Sequence, residues 1–274
     1  MSKAIKNDEI YTASLIDKFF QWLKKTTYNN FLENNEKWVN KVSLSLMYFI
    51  AAMSLITAIV MLLKYDALNT RHVLATGFCG LLITLVLQYV AAKSLPCLNL
   101  MVHNTPVKLS STSVLDIVAL AAGILGIASL IGGLISAIAS ENFGLFIIGI
   151  GLFIICEYWL AMALKPGALN IEIVHDTSAG DEFIGLLTFF AKGSLKMIPL
   201  IFCGSMIFVA LDLLAIMFVK FTYIEEISNE VTTITYSLST ALLPLLGYIF
   251  FIGYYFTIDI ARAILSIPGK LDKK

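Results

Sequence analysis

Ionisable residues inside long apolar runs, where charge is costly, are the first places to expect chemistry, and four of them are considered first. Glu157 and Asp212 lie well within such runs, while Asp259 and Arg262 lie three apart near the end of the last one. A carboxylate in this setting can pass a proton or hold a cation when water reaches it. Gln88 occupies the place of Glu157 in a similar segment, so Glu157, Asp212 and Gln88 form a candidate intramembrane polar site. Glu157 stands seven residues before the end of its run, about 10 Å deep at the rise of an α-helix. A glutamate that only hydrogen-bonds one helix to another would stand there equally well. The spacing of Asp259 and Arg262 suits an ion pair on one helix face.

A second candidate group is His103 with Asn104 and His175 with Asp176, each pair followed by threonine in a polar connection. Imidazoles can titrate near neutral pH or ligate a metal, but two of them with one carboxylate are too few to call for one. Turn and capping roles are the common use of His-Asn-Thr and His-Asp-Thr. No metal and no cofactor is expected. Signatures of zinc proteases, nucleophile elbows, phosphate loops and EF-hands are missing, so no catalytic residue is assigned. Cys79, Cys97, Cys156 and Cys203 are widely separated, with no CxxC pair, and read as free thiols.

These residues must be held by elements of one kind. Of 274 residues 58% are hydrophobic and 14% charged, far from the soluble mix of about 25% charged. Six apolar runs reach the roughly 20 residues that cross a bilayer: Ser43–Leu63, Val73–Ala92, Val114–Ala139, Phe143–Leu164, Met197–Val219 and Ala241–Ala263. Backbone amides cannot stay unpaired in lipid, so the runs are helices and the fold is all-α, a polytopic membrane protein. The expected organisation is an interfacial arm over residues 1–42, a six-span domain over 43–264 and a cytoplasmic tail over 265–274.

All lysines and arginines except Lys64, Arg71 and Lys220, sixteen of nineteen, fall on one side of this layout. Positive residues mark the cytoplasmic side, which places both termini there. The first run begins too late to be a cleavable signal and is expected to stay as the first span. The net charge of zero gives no reason for a nucleic-acid partner.

Ahead of the first span, Leu15, Ile16, Phe19, Phe20 and Leu23 recur at helical spacing, and Phe31, Leu32, Trp38 and Val39 follow after Asn29 and Asn30. With lysines beside them and Trp22 and Trp38 at headgroup level, this predicts an amphipathic helix lying in the plane of the membrane or docked on a partner.

Two stretches resemble each other. Gln88-Tyr89, Pro96 through Leu100 and Val102 through Thr105 match Glu157-Tyr158, Pro166 through Ile171 and Val174 through Thr177 in order. The predicted unit is a two-helix hairpin with its connection, repeated in one orientation. A third copy is fainter, in Tyr254-Tyr255 and Pro268-Gly269. Asn99 and His103 should then superpose on Asn170 and His175. The second connection regains apolar character between Asp181 and Lys192, which predicts a short interfacial helix, with Ser178 through Glu182 as its cap.

In the third span Ala122 and Gly126, then Ser129, Gly133 and Ala137, recur every fourth residue, the spacing that brings helices close in lipid, here toward Gly144, Gly149 and Gly151. The pattern points first to a non-enzymatic membrane subunit or scaffold, in contact with the bilayer and with other subunits or further copies. The alternative is a small-solute or ion transporter built from hairpin repeats and using Glu157 and Asp212. An intramembrane enzyme ranks last.

Overall fold

The computed structural model describes residues 11–26, 31–64, 70–174, 178–218 and 223–265. The helices are α1 (Tyr11–Thr26), α2 (Phe31–Lys64), α3 (Thr70–Asn104), α4 (Ser113–Ser140), α5 (Phe143–Leu164), α6 (Ala179–Phe218), α7 (Tyr223–Ala241) and α8 (Leu243–Leu265). Two three-residue strands, β1 (Val107–Leu109) and β2 (Ile171–Ile173), complete the described elements with a 3-10 turn at Pro166–Leu169. Six helical stretches are long and apolar enough to cross a membrane: Phe31–Leu63, Val73–Asn104, Ser113–Ser140, Phe143–Leu164, Ala179–Phe218 and Val231–Ala263. The chain is an all-α protein built for multiple membrane crossings.

Three helices outrun the hydropathy that announced them. α2 passes unbroken through residue 42, so Phe31, Leu32, Trp38 and Val39 open the first long helix and are not part of a separate in-plane one. α3 continues past Ala92 because Ala91, Leu95, Leu98 and Val102 extend one buried stripe at helical spacing. In α6 the expected interfacial helix and the fifth span are fused, with Ile184, Thr188, Lys192 and Leu195 forming its buried line. Its start is capped as the sequence suggests: Ser178 Oγ accepts from Asp181 N at 3.1 Å and donates to the Asp181 carboxylate at 2.7 Å. α7 and α8 part at Leu242, two residues before Pro244, which has no N–H to give to a helix passing through.

The chain forms two compact units, Met1–Asn35 with Pro106–Gly193, and Glu36–Thr105 with Ser194–Lys274. In the first, α4 and α5 make a tight hairpin. It turns at Glu141, in the left-handed region with φ 51°, and at Asn142, whose side chain caps Gly144 N at 2.9 Å. A Cβ on Gly149 would lie 2.7 Å from Ser129 O and 2.9 Å from Gly133 Cα. One on Gly126 would lie 3.1 Å from Cys156 Cβ. Ala122, Gly126, Ser129 and Gly133 thus lie along the side of α4 where the hairpin closes, and Ala137 O accepts the turn's Asn142 N. Gly149 meets this face, whereas nothing lies within 4 Å of a Cβ on Gly151.

In the second unit, α3 packs on α7 and α8. It approaches α2 so closely that a Cβ on Gly77 would lie 2.4 Å from that of Ala58. Ser54 fills the same contact, its hydroxyl near Ala51 O and Gly77 O.

Candidate functional site

The most elaborated polar structure in the first unit stands where the apolar stretches of α4 and α5 end. Pro166 stops α5 by withholding an amide, the 3-10 turn follows, and Asn170 takes the left-handed region with φ 53° before β2 begins. β2 pairs in parallel with β1, Val107 opposite Ile171, Lys108 opposite Glu172 and Leu109 opposite Ile173. Val107, Leu109, Ile171 and Leu169 are buried beneath the pair. α6 comes so near that a Cβ on Gly185 would lie 2.7 Å from Lys108 O.

Two side chains of α6 tie this platform together. Lys192 is 0% exposed, and its Nζ donates to Leu169 O at 2.7 Å and to Asn170 O at 3.4 Å. A buried ammonium is tolerable only with such partners, and these two carbonyls belong to the turn that launches β2. Glu182, in the first turn of α6, accepts from Ser110 N at 2.5 Å, Ser110 Oγ at 2.8 Å and Ser111 N at 3.3 Å. It closes the exit of β1. Trp159 packs on the next part of α6, with ring centroids 6.0 Å from both Phe189 and Phe190.

The arm α1 lies against this platform and bounds two adjoining clefts. One, of about 470 Å³, is lined by Lys24, Phe31, Glu33, Lys165, Gly167 and Ile171 among others. The other, of about 460 Å³, is lined by Asp17, Gln21, Lys24, Thr112, Ser113 and Asp116 among others. Both include Lys24, Pro166 and Ile173. The apolar residues of α1 divide into two stripes. Phe20 is buried and Ile16 and Leu23 half-buried, while Leu15, Phe19 and Trp22 face outward, Phe19 at 51% and Trp22 at 57% exposure. The Phe19 and Trp22 rings stack at 6.0 Å.

In the second unit Lys196, Glu36 and Asp212 find partners within the chain. Lys196 Nζ meets the Glu36 carboxylate at 2.5 Å and Asn99 Oδ1 at 2.6 Å, with the ion pair only 9% and 12% exposed. Asp212 is half-buried and accepts a hydrogen bond from the Thr233 hydroxyl of α7. Gln88 is half-buried in α3 and His103 exposed near its end.

The sequence candidates are distributed between the units. Glu157, half-buried in α5, belongs to the first unit, and Gln88, Asp212 and His103 belong to the second. Asn104 ends α3, while His175 and Asp176 lie outside the described residues. The expected superposition of Asn99 on Asn170 is not realised: Asn99 is inside α3, and Asn170 follows a 3-10 turn in the left-handed region. The paths part at the prolines: after Pro96 the buried stripe of Leu98 and Val102 keeps the chain helical, and after Pro166 no such stripe follows and the helix ends. Among the described residues no group of three or more His, Cys, Asp or Glu is placed to hold a metal. Lys192, Glu182, Glu36 and Lys196 escaped sequence reasoning as partners, because each reaches a residue distant in the chain. The one available hint was a lysine in register with the apolar positions of α6. Compared with protein families, curated proteins and solved structures, the chain matches none.

Proposed function

We propose that this protein is a non-enzymatic structural component of a membrane assembly, with α1 as an amphipathic docking arm on the cytoplasmic face. The observation that carries the reading is the division of α1 into two stripes. Ile16, Phe20 and Leu23 hold the arm to its own unit, and Leu15, Phe19 and Trp22 present a second apolar edge outward. One stripe would suffice to dock the arm, and burying each further large side chain contributes about 1.5–3 kcal/mol. The pairing of Asp212 with Thr233 and of Lys196 with Glu36 further supports a structural role for buried charge over an open ion path.

The two stripes respond differently to charge. Phe20→Asp should free the arm and expose Lys24 and Lys25 to trypsin, whereas Phe19→Asp should leave trypsin resistance unchanged. A photoreactive side chain in place of Trp22, activated in native membranes, should give a discrete adduct with a second polypeptide. Labelling of lipid alone would remove the subunit reading.

The topology accompanying this proposal has six spans and both termini cytoplasmic, on the strength of the positive-charge asymmetry. In a variant with all four native cysteines replaced by serine, an impermeant thiol reagent applied to intact cells should label Glu226→Cys and spare Lys108→Cys. The reverse pattern would overturn the orientation.

A further inference from the structure

The two clefts beside α1 differ in charge. Apart from the shared Lys24, the first carries Lys165 and Glu33, and the second carries Asp17 and Asp116. They adjoin at Lys24, Pro166 and Ile173, and each has the volume of a small-molecule site, about 300–1,000 Å³ in proteins generally. Their level is fixed by their walls: Lys165 closes the apolar run of α5, and Thr112 and Ser113 open that of α4. This is headgroup depth for a chain that crosses a bilayer. Phe31, Leu32 and Ile171 give the first cleft an apolar wall as well.

We infer that the paired clefts take the headgroup of a phospholipid bearing a phosphate and a primary ammonium, the phosphate between Lys24 and Lys165 and the ammonium at Asp17 and Asp116. Lysines supply point charges to a phosphate oxygen, and a primary ammonium has three N–H donors for two carboxylates. A trimethylated headgroup has the same charges and no such donors. An anionic glycerol headgroup has the phosphate and two hydroxyl donors but no cation to pair with the aspartates. Gln21, Thr112 and Ser113 add neutral polar groups around the ammonium. The inference does not depend on the subunit reading, since a lipid can fill the clefts whether or not the outer stripe of α1 meets a protein.

Gly167 provides a steric test. It lines the first cleft, and a Cβ there would meet nothing within 4 Å, so the position has room for a side chain beside the cleft. The purified full chain in detergent would be titrated with phosphatidylethanolamine, phosphatidylcholine, phosphatidylglycerol or soluble O-phosphoethanolamine, and bound ligand counted by native mass spectrometry. Phosphatidylethanolamine should bind about tenfold more tightly than either other lipid, as one or two charged hydrogen bonds allow. Gly167→Trp should remove this preference. Asp17→Asn with Asp116→Asn, isosteric changes, should lower phosphatidylethanolamine binding to the level of phosphatidylcholine, with elution volume and melting temperature unchanged. Equal retention of the three lipids, retention unaffected by Gly167→Trp, or a preference for phosphatidylglycerol that survives the aspartate changes would each overturn the assignment. Binding of soluble O-phosphoethanolamine as tight as that of the lipid would overturn the lipid as the source of this chemistry.

Discussion

Lys192→Ala should be the most damaging single substitution in the first unit. It removes the donor from Leu169 O and Asn170 O, leaves a cavity in the line of Ile184 and Thr188, and loosens the turn from which β2 starts. Asn170 O keeps Val107 N at 3.2 Å, but a carbonyl that loses its donor, as Leu169 O does, costs about 1–3 kcal/mol, and truncating a long buried side chain adds a cavity term. A loss of about 3–5 kcal/mol follows, read as a fall of roughly 10 °C in apparent melting temperature in detergent. Lys192→Met keeps most of the volume and removes the cost of burying a charge, so its loss should be less than half as large. Equal effects of the two variants would show that the ammonium alone, and not packing, holds the turn.

Gly149→Leu should open the α4–α5 hairpin. The obstruction is backbone, Ser129 O and Gly133 Cα, which cannot rotate aside as a side chain can. The readout is a disulfide between Gly126→Cys and the native Cys156, in a chain whose other cysteines are serine. A Cβ at position 126 lies 3.1 Å from that of Cys156, a little inside the usual disulfide separation of about 3.5–4.5 Å. Oxidation should be nearly complete in this parent and fall at least about tenfold when Gly149→Leu is added. Gly151→Leu is the control, because its side chain enters open space and oxidation should be unaffected.

How far the sequence could be read follows from which forces are local. Run length against bilayer thickness is a local quantity, and it located six apolar helices, with the α5 limits matching at both ends. The small-residue spacing in α4 was equally local, and Gly126 and Gly133 do meet α5 at close range. Helix ends beyond the bilayer were not, because α3 continues on a stripe, Ala91 through Val102, that is apolar for the sake of protein contact and is interrupted by Lys93, Ser94 and Pro96. A hydropathy window averages such a stripe away. Three-residue strands are too short to show an alternation, and β1 and β2 depend on each other across the whole α4–α5 hairpin. The resemblance between the two proline-bearing segments was real in letters and misleading in geometry. Leu98 and Val102 after Pro96 continue a buried face, whereas Gly167 and the left-handed Asn170 after Pro166 release the chain from helix. In α1 the helical spacing predicts a single apolar face. Only the neighbours of Phe20 reveal that Phe19 points elsewhere.

The pairing of β1 with β2 sets an order on biosynthesis. Parallel strands need a crossover, and here the crossover is α4 and α5, a complete helical hairpin with the apolarity of two spans. β1 leaves the ribosome first, and its hydrogen-bonding edge has no partner until both helices have been made and the chain has returned to the same face. Val107 and Leu109 must therefore wait for their partners while the hairpin is made. Glu182 and Lys192 arrive later still, on the helix that follows. If only one of the two helices crossed a bilayer, β2 and Glu182 would be left on the opposite side from β1, and the sheet and the carboxylate clasp would fail together.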